Sequence, residues 1–254
     1  MNFKELWDNL SEEEKEYRRL AGRAERKFVQ ELKTLPWNSL TPENQLLIQK
    51  HAKQTKKIKR AKKKLEKAIA WDRKVKIAPK RLATIANKVK TSKLFCMDLE
   101  MYEHTGCITE IGVSTWDYNT DKLEVYHYIV KEHYDKRNGI YVPDNKDNFQ
   151  YGNSELLSLD EIKTKVYKLV QESDHLVGHA FKNDIGFLQN IGYTHKKEVF
   201  DTQNIAPLYL LENDRHSLER VVKAVMKEEP KFLHNGGNDA YYTMKSLLAM
   251  LDLV

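Results

Sequence analysis

Apolar and polar positions change their period along this chain of 254 residues, and the change divides it. Over the first ninety residues apolar side chains are sparse and recur at helical spacing. Ser11-Glu12-Glu13-Glu14 is a capping box, in which the serine accepts from the amide three residues on and the glutamate reaches back. It predicts a charged helix to about Lys33. Thr41-Pro42 supplies an N-cap with proline at the first helical position and opens a long second helix. The middle of that helix keeps only a narrow apolar stripe (Ile58, Ala61, Leu65, Ile69), and its other faces are almost all lysine. Ala78-Pro79 predicts a break before a shorter amphipathic segment with Leu82, Ile85, Ala86 and Val89.

From about residue 93 the pattern becomes that of strands. Lys93–Glu100, Ile108–Trp116 and Leu123–Val130 run apolar or alternate at strand length, with Asp121-Lys122 in the tight connection between the last two. They predict an antiparallel meander. The stretch from Glu132 to Leu157, with Gly139, Pro143 and Gly152, reads mostly as loop, long enough to border a substrate groove. A second capping box, Ser158 to Glu161, opens a helix with Ile162, Val166, Leu169 and Val170 on one face. Short strands are predicted at 175–178 and near Lys197–Phe200, and helices from Asp184, after Ser217 and after Asp239.

Charge follows the same division. Residues 1–92 carry 25 Lys+Arg against 11 Asp+Glu, a net of +14, whereas the remainder carries 18 against 26, a net of −8. A basic arm joined to an acidic domain implies contact with a polyanion. The lysine run around Lys59, Arg60, Lys62 and Lys63 has three readings: a helix that neutralises phosphates, a nuclear-localisation signal, or a solvated face. Two cysteines, Cys96 and Cys107, both in predicted strands, suit reduced intracellular thiols better than a disulfide scaffold. No apolar stretch approaches the ~20 residues that cross a bilayer, and no presequence pattern is read at the N-terminus. The expected location is the cytoplasm or nucleus.

The acidic domain holds three clusters of chemically capable side chains. Asp98 and Glu100 close the first strand; two residues apart, they share a face, about 6–7 Å from one another. Like charges so placed are unfavourable unless a cation lies between them, and carboxylates are the ligands that Mg2+ or Mn2+ prefers. The plain alternative is a strand running out to solvent. Asp184 follows an apolar run and a turn, Val177-Gly178-His179-Ala180-Phe181-Lys182-Asn183, where it reads as a helix cap or as a third ligand. His179 and Asn183 read as residues that hold this turn. His234 lies five residues before Asp239 with Gly236 and Gly237 between, a loop on which a histidine can swing over a site. Histidine alone among side chains offers a base near neutral pH without perturbation.

The order and spacing of Asp98-Leu99-Glu100, Gly178-His179-Ala180…Asp184 and His234…Asp239 resemble the DEDDh 3′→5′ exonucleases, the superfamily of RNase T, oligoribonuclease and the proofreading domains. The final cluster looks most like a fungal subgroup. The resemblance covers roughly residues 93–254. It implies a ribonuclease H-like α/β fold, three antiparallel strands and then αβαβα, carrying a helical basic extension over 1–90. It also implies two Mg2+ or Mn2+ ions, with Asp98 bridging, Glu100 and Asp239 completing one site, Asp184 supporting the other, and His234 as base. The implied partner is single-stranded nucleic acid, RNA favoured over DNA because no polymerase accompanies the domain, with nucleoside 5′-monophosphates as products. The alternative from another class is a catalytically silent nuclease-fold adaptor that only binds nucleic acid. Many members follow Asp-x-Glu with two threonines and a glycine, whereas this chain has Met101-Tyr102-Glu103-His104. Tyr102 is open to two readings, a base-stacking platform or a structural aromatic.

Overall fold

The computed structural model describes residues 11–194 and 196–253, without the Asn183 side chain. The chain divides into two compact units between Ala70 and Trp71. In the first, helix α1 (Glu12–Leu32) begins with the Ser11–Glu14 capping box, and a single 3-10 turn at Trp37–Ser39 leads into α2 (Pro42–Val89). Val29, Leu32 and Leu40 are its buried apolar residues. Gln45 Nε2 donates to the carbonyls of Trp37 and Leu40, tying the connection to the helix that follows. Ile58, Leu65 and Ile69, the narrow stripe, are exposed.

Helix α2 does not break at Pro79. It runs unbroken to Val89 with the proline inside it. Proline removes one amide donor and crowds the preceding turn, a cost of about 3 kcal/mol in an isolated helix. Burial offsets it here, because Ala78, Ile85 and Val89 on either side of the proline are all buried. Ile85 and Val89 belong to the same apolar cluster as Leu94, Cys96, Phe200 and Leu247. The last turns of α2, from Trp71, thus belong with the sheet-bearing unit.

That unit is built on a six-stranded mixed sheet. Strands β1 (Lys93–Met101), β2 (Ile108–Asp117) and β3 (Lys122–Val130) form the antiparallel meander. A short strand not expected from the sequence, β4 (Ser154–Leu157), then pairs parallel to β3 at the edge. Helix α3 (Leu159–Gln171), β5 (His175–Gly178), α4 (Lys182–Asn190), β6 (Val199–Asp201), α5 (Thr202–Leu210), α6 (Leu218–Val225) and α7 (Gly236–Met250) follow. The strand order is β4-β3-β2-β1-β5-β6, with β1, β5 and β6 parallel. Aside from β4, this is the ribonuclease H-like order. The strand near Lys197–Phe200 lies one to two residues later, and Cys107 falls in the connection before β2 rather than in a strand.

Two apolar layers sandwich the sheet. α2, α5, α6 and α7 cover one face, where Leu94, Cys96, Val177, Met244 and Leu247 are buried together. α3 and α4 cover the other, with Phe95, Met97, Ile111, Ile162 and Phe187. The alternation of Leu94 and Cys96 against Phe95 and Met97 along β1 is the period of two that a doubly covered strand requires. Helix α7 approaches β2 so closely that a Cβ on Gly112 would lie 1.8 Å from the carbonyl oxygen of Gly236. A Cβ on Gly237 would lie 2.8 Å from that of His127.

Overpacking a well-filled core typically costs about 1–3 kcal/mol, occasionally more. Gly112→Ala meets backbone rather than a movable side chain, so its destabilisation should reach the top of that range or exceed it. Gly186→Ala, in α4 with open space at its Cβ position, should instead be neutral or stabilise by about 0.4–1 kcal/mol. Urea denaturation of both variants checks the contrast. Equal midpoints would mean that the helix can shift away from the sheet without penalty.

Candidate functional site

The site is assembled where β1 ends. Asp98 and Glu100 are on one face of β1, and a register shift between Glu100 and Met101 precedes its last pair with β2, Met101 with Ile108. Bulges are enriched beside active sites because they re-aim side chains and terminate pairing. Asp98 lies directly opposite Gly112, the glycine under the start of α7. Asp184 comes from the first turn of α4 and is buried. Asp239 comes from the first turn of α7, also buried. His234 stands just ahead of that helix. Its ring and the carboxylates of Glu100 and Asp239 place one ligand atom each within 4.8 Å of one another.

Gly236 and Gly237 do not form a loop. They are the first residues of α7, N-capped by Asn235, whose side-chain oxygen accepts from the amide of Asn238 at 3.1 Å. What turns the histidine over the site is its own backbone, with φ at +64°. A non-glycine residue in that left-handed region carries a cost of order 1–3 kcal/mol and recurs at functional sites. The His234 amide donates to Asp239 Oδ2 at 3.0 Å, fixing the turn to the carboxylate. Asp239 Oδ1 has no hydrogen-bond partner among the described residues although it is buried.

The electrostatics of the cluster are those of crowded acids. Burial first, and then the charges of Asp239, Glu100 and Asp184, push Asp98 well above the usual carboxylate range. Burial, Asp239, Glu110 and Asp184 push Glu100 up to about 9. Asp184 rises to about 7 by burial, restrained by the backbone amides of Asp184 itself and Leu99. Asp239 also rises to about 7 by burial, restrained by the His234 amide. Burial moves His234 the other way, below its ordinary 6.5, so the ring is neutral at pH 7. Buried carboxylates that repel one another, one oxygen without a partner, and a neutral imidazole alongside form a donor set that fits hard divalent cations.

Several residues that support the site escape a reading by motif. Glu110 lies opposite Glu100 across β1 and β2, is buried, and is bonded to His127 Nε2 at 2.9 Å. His127 Nδ1 meets Ser154 Oγ of β4 at 2.8 Å. Asn235 Nδ2 donates to the carbonyls of Asn145 and Lys146, and Asn238 Nδ2 to those of Asn148 and Phe232. These asparagines stitch the long 131–153 segment to the start of α7. The residues alone gave no signal of this, because it follows from the burial of the Asn235–Asp239 run, which requires partners for the two asparagine side chains. His179 holds its turn as expected, from Nδ1 to Thr202 Oγ1 at 2.9 Å and from Nε2 to the His216 carbonyl at 3.0 Å. The side chain of Asn183 lies outside the described residues.

Tyr102 is half-buried just beyond β1, its ring 5.0 Å from that of His104. The next residue, Glu103, accepts the amides of Gly139, Ile140, Tyr141 and Val142, which hold its carboxyl down to about 2. The segment that departs from two threonines and a glycine therefore anchors the long loop. Lys59, Arg60, Lys62 and Lys63 lie exposed in the first unit, with Lys62 3.8 Å from Glu66. No helix among the described residues is long and apolar enough to cross a membrane.

A family model described as the C-terminal domain of DNA polymerase III subunit epsilon-like proteins, DEDDh_C, matches residues 93–250. An uncharacterized nucleolar protein of Schizosaccharomyces pombe is 31% identical over 229 residues, covering 83% of this chain and 87% of that one. Good for full DBP5 activity protein 2 of Saccharomyces cerevisiae is 28% identical over 200 residues, covering 63% of this chain. The matched part spans 35% of that longer protein. Among solved structures, a full-length 3′-exonuclease has a TM-score of 0.44 at 12% identity, over 63% of this chain and 60% of its own. Cell-death related nuclease 4 has 0.33 at 9%, over 65% of each. Likeness at that level extends to neither chemistry nor substrate.

The cluster makes the metal-free protein sensitive to pH with a definite sign. A carboxyl that rises from its ordinary 4.5 to about 9 on folding favours the folded state only while protonated. Its contribution is full below about 4.5 and is lost as pH rises towards 9. In excess chelator the melting temperature should fall between pH 6 and pH 8.5, and Mn2+ should restore most of the deficit at the higher pH. Glu100→Gln in chelator should flatten the dependence. A melting temperature that ignores both pH and Mn2+ would remove the charge cluster from the account.

Proposed function

The chain belongs to the DEDDh exonuclease family, and on that premise we propose that it is a metal-dependent 3′→5′ exonuclease of single-stranded nucleic acid, RNA favoured over DNA. The carrying observation is the convergence of Glu100, Asp239 and His234 within 4.8 Å, with the charges of Asp98 and Asp184 coupled to it and one buried oxygen of Asp239 without a partner among the described residues. Asp98, Glu100, Asp184 and Asp239 would hold two Mg2+ or Mn2+ ions. Bound there, the ions supply charge neutralisation at the scissile phosphate and a lowered pKa for water. His234 takes the proton of the attacking water on its free ring nitrogen, a role that its depressed pKa permits at neutral pH. The left-handed backbone and the hydrogen bond that the His234 amide donates to Asp239 Oδ2 hold the imidazole at that post. The products are nucleoside 5′-monophosphates.

Two features outside the site favour a polyanionic substrate. An acidic catalytic unit repels phosphates, and the basic helices supply the opposite charge. Tyr102, half-buried at the end of β1, serves as a stacking platform for a base. Lys59, Arg60, Lys62 and Lys63 gather the strand by its phosphates. The S. pombe relative is described as nucleolar, and by that likeness we place this chain in the nucleus.

Asp98→Ala and Asp184→Asn should each abolish hydrolysis of 5′-labelled RNA while leaving the circular dichroism spectrum intact, because each removes a ligand rather than core volume. Chelator should do the same reversibly. A product ladder from single-nucleotide shortening is expected with the 5′ label and a lone mononucleotide with the 3′ label. Full activity in excess chelator with both substitutions harmless would falsify the two-ion reading.

His234→Ala should slow hydrolysis by about 10²–10⁴-fold, the range for a positioned general base. The wild-type rate should fall as pH drops through the depressed pKa of the imidazole, since protonation there removes the base. The pH–rate profile of the alanine variant should lack that limb. Superimposable profiles would take His234 out of the reaction.

A further inference from the structure

The end of α2 that belongs to the sheet-bearing unit carries a mixed stripe. Trp71, Lys74, Ala78, Arg81, Ile85 and Lys88 succeed one another at spacings of three and four, so they share one face of the helix. Ala78 and Ile85 fix that face inward, for both are buried and Ile85 clusters with Phe200, Ile205 and Ala206. Charged side chains of a surface helix ordinarily point to water. Lys74, Arg81 and Lys88 keep that exposure, and together they also line a cleft of about 620 Å³ between α2 and the β6–α5 segment.

The charges in the cleft are not balanced. Lys88 is paired with Glu198 at 2.6 Å. Asp201 accepts the amides of Ala180, Phe181 and Gln203. Lys74, Arg81 and Arg215 have no ion pair among the described residues, and Asp214 is the one remaining acid on the walls. Lys74 and Arg81 are seven residues apart, about 10 Å along the helix axis. A single phosphate does not span that distance, so the matching ligand carries repeated anionic groups. The remaining lining narrows its class. Trp71 offers an aromatic face, and Gln203, Asn204 and Asn213 offer amides that pair with base edges.

We propose that this cleft is a second nucleic-acid site, in which Lys74, Arg81 and Arg215 hold successive phosphates of a single strand and Trp71 takes a base. It is also joined to the catalytic cluster. Asp201, on its wall, ties down the turn at Ala180 and Phe181 that leads into α4 and Asp184. The carbonyl of His216, next to Arg215, receives His179 from the same turn. A strand seated in the cleft therefore rests against the back of the segment that delivers Asp184.

The choice of polyanion rests on the exonuclease reading, but the test does not use hydrolysis. Full-length Asp98→Ala protein in excess chelator is titrated into a fluorescein-labelled 12-nucleotide RNA, and into DNA of the same length, followed by anisotropy over a range of salt. Adding Lys74→Glu, Arg81→Glu and Arg215→Glu should weaken binding at least tenfold. It should also reduce the salt slope by about 0.7 for each phosphate that is no longer neutralised, about 2 for all three. Where the triple reversal lowers the melting temperature, the triple glutamine variant is read instead, with the same fall in slope expected. Charge reversal at Lys59, Arg60, Lys62 and Lys63 runs alongside. An unchanged affinity and slope in both cleft variants, with all salt dependence residing in the arm, would overturn the cleft. A wild-type protein that binds through the cleft but hydrolyses nothing would sink the exonuclease reading and leave the cleft standing.

Discussion

Everything at the site hangs on one backbone contact, that of Gly236 with Gly112. Helix α7 meets the sheet with no side chain in between, since a Cβ on either glycine would strike the other's backbone. Gly112 is also the register partner of Asp98. The contact thus sets the start of α7 beside the first carboxylate of the cluster, and Asp239 and His234 arrive with it. A larger residue would displace the helix by the width of a methyl group, and ligand sets do not tolerate ångström errors. The asparagines on either side of the glycine pair have a matching role. With the helix start pressed against the sheet, its polar neighbours are sealed from water, and each must be bonded within the protein.

The same approach concentrates negative charge, and magnitudes decide what can neutralise it. The start of α7 presents the positive end of a helix dipole, worth up to about 2 kcal/mol for a partly buried acid. A rise of the Glu100 carboxyl from 4.5 to about 9 corresponds to roughly 6 kcal/mol against its ionised form. A helix terminus cannot cover that for one acid, still less for four. Divalent cations can, and each carboxyl must give up its proton to receive them. Folding has therefore gathered acids whose repulsion is relieved either by protons or by cations, which ties the stability of this unit to its chemistry.

How much of this was legible in the residues depends on how local the cause was. Asp98 and Glu100 were placed on one face by the period of a strand alone, and the capping boxes at Ser11 and Ser158 fixed two helix starts to the residue. The long-range features were not legible. Strand β4 is four residues with no apolar alternation of its own, and it exists because β3 presents an open edge. Pro79 reads locally as a break, yet tertiary burial of Ala78, Ile85 and Val89 carries the helix through it. The glycines before Asp239 suggested a loop because glycine is most often a loop residue. Their cause lay far upstream, in the backbone of Gly112 for Gly236 and in the side chains of His127 and Phe149 for Gly237. Glu110 was hidden in the same way, since nothing near it in sequence marks it as the cross-strand neighbour of Glu100.

Charge along the chain also reads differently once α2 is seen whole. Counting by sequence assigns the helix to a basic arm and leaves the sheet-bearing part acidic. Its last turns belong to the acidic part, and there Lys74, Arg81 and Lys88, at heptad spacing, line one cleft while staying exposed. Lysines at 59, 62 and 63 face water, where counterions screen them beyond about 10 Å at 0.1 M salt. Lys74, Arg81 and Arg215 are exposed too, but they are gathered on the walls of one cleft, where their fields add for an approaching phosphate. On the proposed reading the two sets of basic residues would serve two tasks: the run at 59–63 would attract polyanions at a distance without fixing their position, whereas the cleft would fix one strand against the turn that carries Asp184. Asp201 and His179 tie the cleft wall to the turn that leads to Asp184, so whatever orders the cleft restrains that one carboxylate.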